Sequence, residues 1–225
     1  MTGGCWALVA VKTRVNCKSR LVGKLSAEAR LSLVRLMLER ALTALRNCQT
    51  VSHITVVTPE RDAIPADVHV LPDAGGGLNA ALDAARDVLV GMGASELLVL
   101  HADLPIVTPA DIDLLVTSGR RAGFALAPDC AGTGTNALYV APPSPFRFRF
   151  GPDSRFRHIE EAMRLGRRAE VLCSNGLELD VDGPADLDRL LALREPCYDA
   201  LPLLSTDALD AAPAAVPRVG GASDR

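Results

Sequence analysis

Three aspartates and one basic loop are the parts of this 225-residue chain whose types and spacing suit chemistry. Asp103 lies in VLHADLP (99–105), just past an all-apolar run of the kind found in the middle of a parallel sheet. Asp180 and Asp182 stand one residue apart in LELDVDGP (177–184), at the end of another short apolar run read as a strand. Residues two apart in a strand point to the same face, so these two carboxylates repel unless a positive charge lies between them. Open α/β sheets bind ligands beyond the carboxyl ends of their strands, where this reading puts all three aspartates. Together, with no soft ligand nearby, they make a hard-oxygen site suited to magnesium. Taken singly they have plainer readings. Asp103 can be a turn residue before Pro105, and Asp180 with Asp182 can cap a helix opening at Pro184.

The opposite charge comes from VKTRVNCKSRLVGK (11–24), where Lys12, Arg14, Lys18, Arg20 and Lys24 occur without an acid. A basic run is usually a solvated face. One that leaves the first strand lies at the same carboxyl edge and suits a polyphosphate. A second anion site is offered by FGPDS (150–154) and GTGT (132–135). Ser154 is read either as an N-cap or as part of an anion-binding helix N-terminus. Gly151 lets the backbone approach closely, and the glycine-rich turn adds amides and the hydroxyls of Thr133 and Thr135.

Other motifs carry less. GTGTNA (132–137) fits a dinucleotide fingerprint, but a strand follows it where a helix is required. No P-loop and no nucleophile elbow occurs. The six cysteines form no CxxC pair and read as reduced thiols of a cytoplasmic protein, and the four histidines have no zinc spacing. The DVD at 180–182 also matches the metal motif of nucleotide-sugar glycosyltransferases, though it falls late in the chain. A formal charge of -3 argues against general nucleic-acid binding. No apolar run is long enough for a membrane span, and the N-terminus reads as a first strand rather than a signal peptide.

The elements that must position these groups alternate. Strands are expected at 5–11, 53–58, 68–71, 96–101, 123–128, 136–142 and 169–173. Helices are expected at 26–46, after the glycine-rich turn that opens 75–93, and at 108–116, 153–166 and 184–194. Leu31, Val34, Leu38, Leu42 and Leu45 form the apolar stripe of the first helix, with Ser26 as its N-cap. The pattern predicts an α/β fold: a mixed, mostly parallel sheet with helices on both faces, over 1–204. The Ala-, Pro- and Gly-rich tail 205–225 is expected to be disordered.

The order AVK, KSRL, GLN, ADLP, GTGTNAL, FGPDS and DVDGPADL over about residues 6–194 resembles the guanylyltransferases of deazaflavin coenzyme (F-420) biosynthesis. The resemblance implies a single-domain nucleotidyltransferase fold (GT-A-like, Rossmann-like). It implies transfer of GMP from GTP, with magnesium, to 2-phospholactate, phosphoenolpyruvate or 3-phosphoglycerate. It assigns metal binding to Asp103, Asp180 and Asp182, and triphosphate handling to Lys12, Lys18 and Arg20. It assigns the guanine nucleotide to the segment Gly77, Leu78 and Asn79, and the phosphorylated acid to Thr135, Gly151 and Ser154. TRVNC (13–17) lacks the small residues expected before KSRL, and DGP stands for the commoner DTP. Related GTP- or CTP-dependent nucleotidyltransferases, a glycosyltransferase and an inactive nucleotide-binding regulator remain as alternatives, and a homodimer is neither required nor excluded.

Overall fold

The computed structural model describes residues 4–11, 17–73, 75–199 and 201–202. Lys12, Arg14 and the tail 205–225 lie outside them. The strands are β1 (Cys5–Ala10), β2 (Val51–Thr58), β3 (His69–Pro72), β4 (Leu97–His101), β5 (Phe124–Ala127), β6 (Ala137–Val140) and β7 (Glu170–Val171). They form one sheet in the order β3-β2-β1-β4-β6-β5-β7. Among the described strands, β6 alone runs antiparallel to all its neighbours. The helices are α1 (Ala27–Asn47), α2 (Leu78–Gly91), α3 (Pro109–Ala122), α4 (Ser154–Arg164), α5 (Asn175–Glu178) and α6 (Pro184–Ala192).

Alternate residues of each strand feed opposite faces, as a period of two requires. Ala7, Val9, Leu98 and Leu100 pack with Leu42 and Leu45 of α1 and Ile112 and Leu115 of α3. Leu8, Leu97, Val99 and Leu138 pack with Leu82 and Leu89 of α2 and Ala162 of α4. The sheet is thus covered on both faces, which is why its central strands are continuously apolar. A third cluster joins the start of α1 to α6 through Leu25, Leu33, Met37, Leu187 and Leu190. That contact turns the N-terminal half of α1 onto Ala29, Leu33 and Met37 and leaves Leu31, assigned to the stripe, 42% exposed. Local signals act as written elsewhere. Ser26 Oγ accepts from the Ala29 amide at 3.1 Å, and Thr108 and Asp111 form a reciprocal cap on α3.

Two expectations need correction. The segment before Asp180 is no strand: Asn175–Glu178 is a short helix followed by extended chain. Its amides bond locally, Leu177 and Glu178 donating to the Ser174 carbonyl. Gly176 packs its bare α-carbon against Asp111 and the Ile106 carbonyl, a contact that tethers the turn below α3. Ser154 is no N-cap either. Asp153, at φ 56°, precedes the helix, and Ser154 is its first residue.

Gly119 of α3 lies flat against the Tyr139 ring, which is 1% exposed. A methyl group there would overlap the ring. Gly119→Ala is expected to destabilise the fold by about 1–3 kcal/mol through overpacking. Urea unfolding checks this, and an unchanged midpoint would refute the packing of α3 on β6.

Candidate active site

The loops at the carboxyl ends of β1 and β4 open onto a cavity of about 630 Å³. These are the central strands, where the chain order turns from one side of the sheet to the other, the place where open sheets bind ligands. The antiparallel direction of β6 adds a third wall. Its first residue, Ala137, pairs with Leu100 near the end of β4, so the turn carrying Gly134, Thr135 and Asn136 arrives at the same edge.

Lys18 holds the centre. It sits at φ 47°, ψ 47°, just before a 3-10 turn at Ser19–Leu21, and its ammonium lies 2.8 Å from both Asp103 Oδ2 and Asp182 Oδ1. The sequence asks what separates two neighbouring carboxylates. In this structure it is a lysine, and the pair it joins is Asp103 with Asp182. Burial works against the Lys18 charge, but Asp103 and Asp182 outweigh it and raise its pKa. Burial likewise opposes ionisation of Asp103, and Lys18 with His101 overcomes it and lowers the carboxyl.

Asp180 stands apart from that pair. The Asn136 side-chain amide donates to the Leu177 and Glu178 carbonyls at 3.0 Å and to Asp180 Oδ1 at 3.3 Å. The Val181 amide reaches the Asp103 carbonyl at 3.3 Å. These bonds lash the acidic segment to the ends of β4 and β6. Burial first, then Asp103 and Asp182, push the Asp180 pKa up to about 6.

Asp103 Oδ1 is buried with no hydrogen-bond partner among the described residues, an acceptor left over for something positive. Against this, no three acidic, His or Cys side chains among the described residues are arranged to grip an ion together. The oxygen chemistry fits a hard cation. Lys18 already takes the central position, so Asp103, Asp180 and Asp182 would hold an ion only after Lys18 shifts.

The remaining assignments divide. Lys18, Arg20, Leu78, Thr135, Gly151 and Ser154 line the cavity with the three aspartates. Thr133 does not: it is exposed, and its amide and that of Gly134 are taken by Asp129 Oδ1 at 3.0 and 2.9 Å. Those amides were expected to serve an anion. Gly77 lies at the N-terminus of α2 with φ 89°, outside the lining. Asn79 is spent on structure, its side chain donating to and accepting from the Phe150 backbone at 2.9 and 2.7 Å. It thereby ties the start of α2 to the loop before Gly151. Asn136, Asp129 and His158 were missed as contributors. Asn136 lay inside GTGTNAL, but only the fold reveals its partners.

Residues 5–198 match the family described as Guanylyl transferase CofC like. The phosphoenolpyruvate guanylyltransferase of Sphaerobacter thermophilus is 37% identical over 188 residues, covering 82% of this chain and 91% of the relative. That of Nocardia farcinica is 40% identical over 198 residues, 83% and 85% of the two chains. Among solved structures, a Desulfovibrio desulfuricans protein ascribed to the nucleotide-diphospho-sugar transferases superposes with a TM-score of 0.70 at 15% identity, covering 86% of this chain and 92% of that one. A CMP:2-keto-3-deoxy-manno-octonic acid synthetase complexed with CTP gives 0.55 at 14%, covering 85% and 98%. These two likenesses concern the nucleotidyltransferase-type fold.

The Asp180 shift has a stability consequence of definite sign. Its folded pKa, about 6, lies above the usual 3.8. Between those values the folded state holds a proton that the unfolded chain has released, so this group's contribution to stability falls as pH rises through that window. Asp180→Asn removes the penalty. With screening at this partly open site, the gain at neutral pH is expected to be on the order of 1 kcal/mol, vanishing near pH 4. Thermal unfolding in chelator at both pH values checks it, and a neutral-pH loss of stability would contradict it.

Proposed function

Because the chain belongs to the CofC-like guanylyl transferase family, we propose that it joins the GMP unit of GTP to the phosphate of a small phosphorylated three-carbon acid. An acceptor phosphate oxygen attacks the α-phosphorus of GTP. The bond from that phosphorus to the bridging oxygen breaks, and its electron pair leaves with pyrophosphate. The names of the relatives put phosphoenolpyruvate first among acceptors, ahead of 2-phospholactate and 3-phosphoglycerate. The pathway implied by the sequence resemblance is deazaflavin coenzyme (F-420) biosynthesis. Six free cysteines suit a cytoplasmic setting, and no helix among the described residues is long and apolar enough to cross a membrane.

The observation that carries this reading is the ammonium of Lys18, which lines the cavity, held between Asp103 and Asp182. A phosphomonoester is mostly dianionic at neutral pH, with a second pKa of about 6, so it needs no general base. What opposes the reaction is repulsion between two polyanions, and a site built from balanced charges addresses that. Lys18 and Arg20 receive triphosphate oxygens, with Lys12 as a further member of the same loop. Once Lys18 shifts toward the phosphates, Asp103, Asp180 and Asp182 would hold magnesium, which would supply neutralisation of the triphosphate and of the leaving pyrophosphate. Gly77 and Leu78 bound the guanosine side, and Thr135, Gly151 and Ser154 bound the acceptor side. Asn79 acts between them by fixing Phe150.

Pyrophosphate release with GTP or CTP, and in parallel the consumption of a nucleotide sugar, each against the three acids, test the activity. Release with GTP and one acid is expected, whereas use of CTP or of the nucleotide sugar instead would favour the alternatives. Asp103→Asn should lower kcat/KM at least ~100-fold, as for loss of one electrostatic contact to the transition state. Near wild-type turnover with unchanged magnesium dependence would remove Asp103 from the site.

A further inference from the structure

The start of α4 and the turn before β6 meet over a histidine to which the proposed reaction gives no part. His158 is fully buried. Its ring lies edge-on to Phe150, with centroids 4.6 Å apart, and near Phe146 at 6.0 Å, so its orientation is fixed. The Arg149 amide lies 2.9 Å from Nε2. A backbone N–H can only donate, so Nε2 carries no proton. Burial, then His101 and Arg149, push the ring's pKa down to about 3 against the opposing pull of Glu161. The neutral ring therefore keeps its single proton on Nδ1. That atom faces Thr135 Oγ1 at 3.1 Å, and Ser154 Oγ donates to the same oxygen at 3.3 Å. With two donors on its oxygen, Thr135 must send its own proton elsewhere, and both hydroxyl residues line the cavity. A bare Nδ1 would instead draw that proton inward.

We infer that His158 is a positioning residue: through its Nδ1–H it holds the Thr135 hydroxyl with its proton directed into the cavity, as a donor to an anionic group of the acceptor. The role rests on the guanylyltransferase reading, and it gives the acceptor side of the cavity a donor whose direction is set by a tautomer. A core histidine with no such role would affect folding alone. The positioning role affects acceptor binding while leaving GTP untouched, because none of the side-chain hydrogen bonds among His158, Thr135 and Ser154 involves Lys18 or the aspartates.

Two measurements on the full chain test this. In steady-state kinetics, His158→Phe keeps a flat ring but no donor. It should raise KM for the acceptor about 10-fold, the scale of one hydrogen bond to a charged group, with KM for GTP within about two-fold. His158→Asn, which returns an N–H near the Nδ1 position, should recover most of the loss. An unchanged acceptor KM in folded His158→Phe, an equal rise in both KM values, or no recovery in His158→Asn would overturn the inference. Should either variant fail to fold, nitrogen-15 spectra of histidine-labelled wild-type protein decide. The proton is expected on Nδ1, and its resonance should move when phosphoenolpyruvate is added to the GTP-free enzyme, since a hydroxyl that donates to an anion becomes a better acceptor. A proton on Nε2, or a resonance indifferent to phosphoenolpyruvate, refutes the role. Wild-type turnover with at least one of the three acids tests the underlying reading separately: without it that reading falls and this inference with it, and with it a negative result removes only His158.

Discussion

Like charges gathered at one edge of a sheet are the constraint from which the rest of this structure follows. Asp103, Asp180 and Asp182 all reach the carboxyl edge of β1 and β4, and without a cation there the fold would hold them only at a cost. Lys18 supplies that cation from the loop after β1, 2.8 Å from two of the three. Asp180, outside that pair, has its carboxyl pushed up to about 6, by burial first and then by Asp103 and Asp182. Buried or crowded charge of this sort contributes little to net stability, so its retention points to function.

Topology explains how one edge collects so many groups. Parallel strands send their carboxyl ends the same way, and β1 and β4 deliver the Lys18 loop and Asp103. The single antiparallel strand, β6, sends its beginning there instead, bringing Thr135 and Asn136. Asn136 then reaches across to the Leu177 and Glu178 carbonyls and to Asp180, and Asn79 fastens α2 to Phe150. The start of α2, the turn before β6 and the acidic segment are thereby tied through backbone atoms rather than through loosely packed loops.

Much of this was legible in the chain itself, and the reasons differ by element. The central strands announce themselves as unbroken apolar runs because both faces are covered. Ser26 and Thr108–Pro109 mark helix starts because capping is local chemistry. LELD misled because its first residues belong to a helical turn that bonds locally to Ser174 and packs on Asp111, which lies far away in sequence. FGPDS misled for a similar reason: serine is a good cap, but Asp153 takes the left-handed position and frees Ser154 to turn inward. The aspartates were recognisable as a group, whereas Lys18 as the bridge was not, since nothing in residues 11–24 tells which of their five basic residues joins the carboxylates. Asn136 and His158 act only through partners brought near by folding, and no spacing could have exposed them.

In the proposed reaction this edge binds the nucleotide as a charge-balanced complex, with a divalent ion joining Lys18 in countering the carboxylates and phosphates. Calorimetric titration of GTP into the metal-free protein, with and without magnesium, tests it most directly because it needs neither an acceptor nor turnover. Magnesium is expected to tighten GTP binding by at least about 10-fold, or about 1.4 kcal/mol. GTP binding equally well in chelator and in magnesium would contradict it.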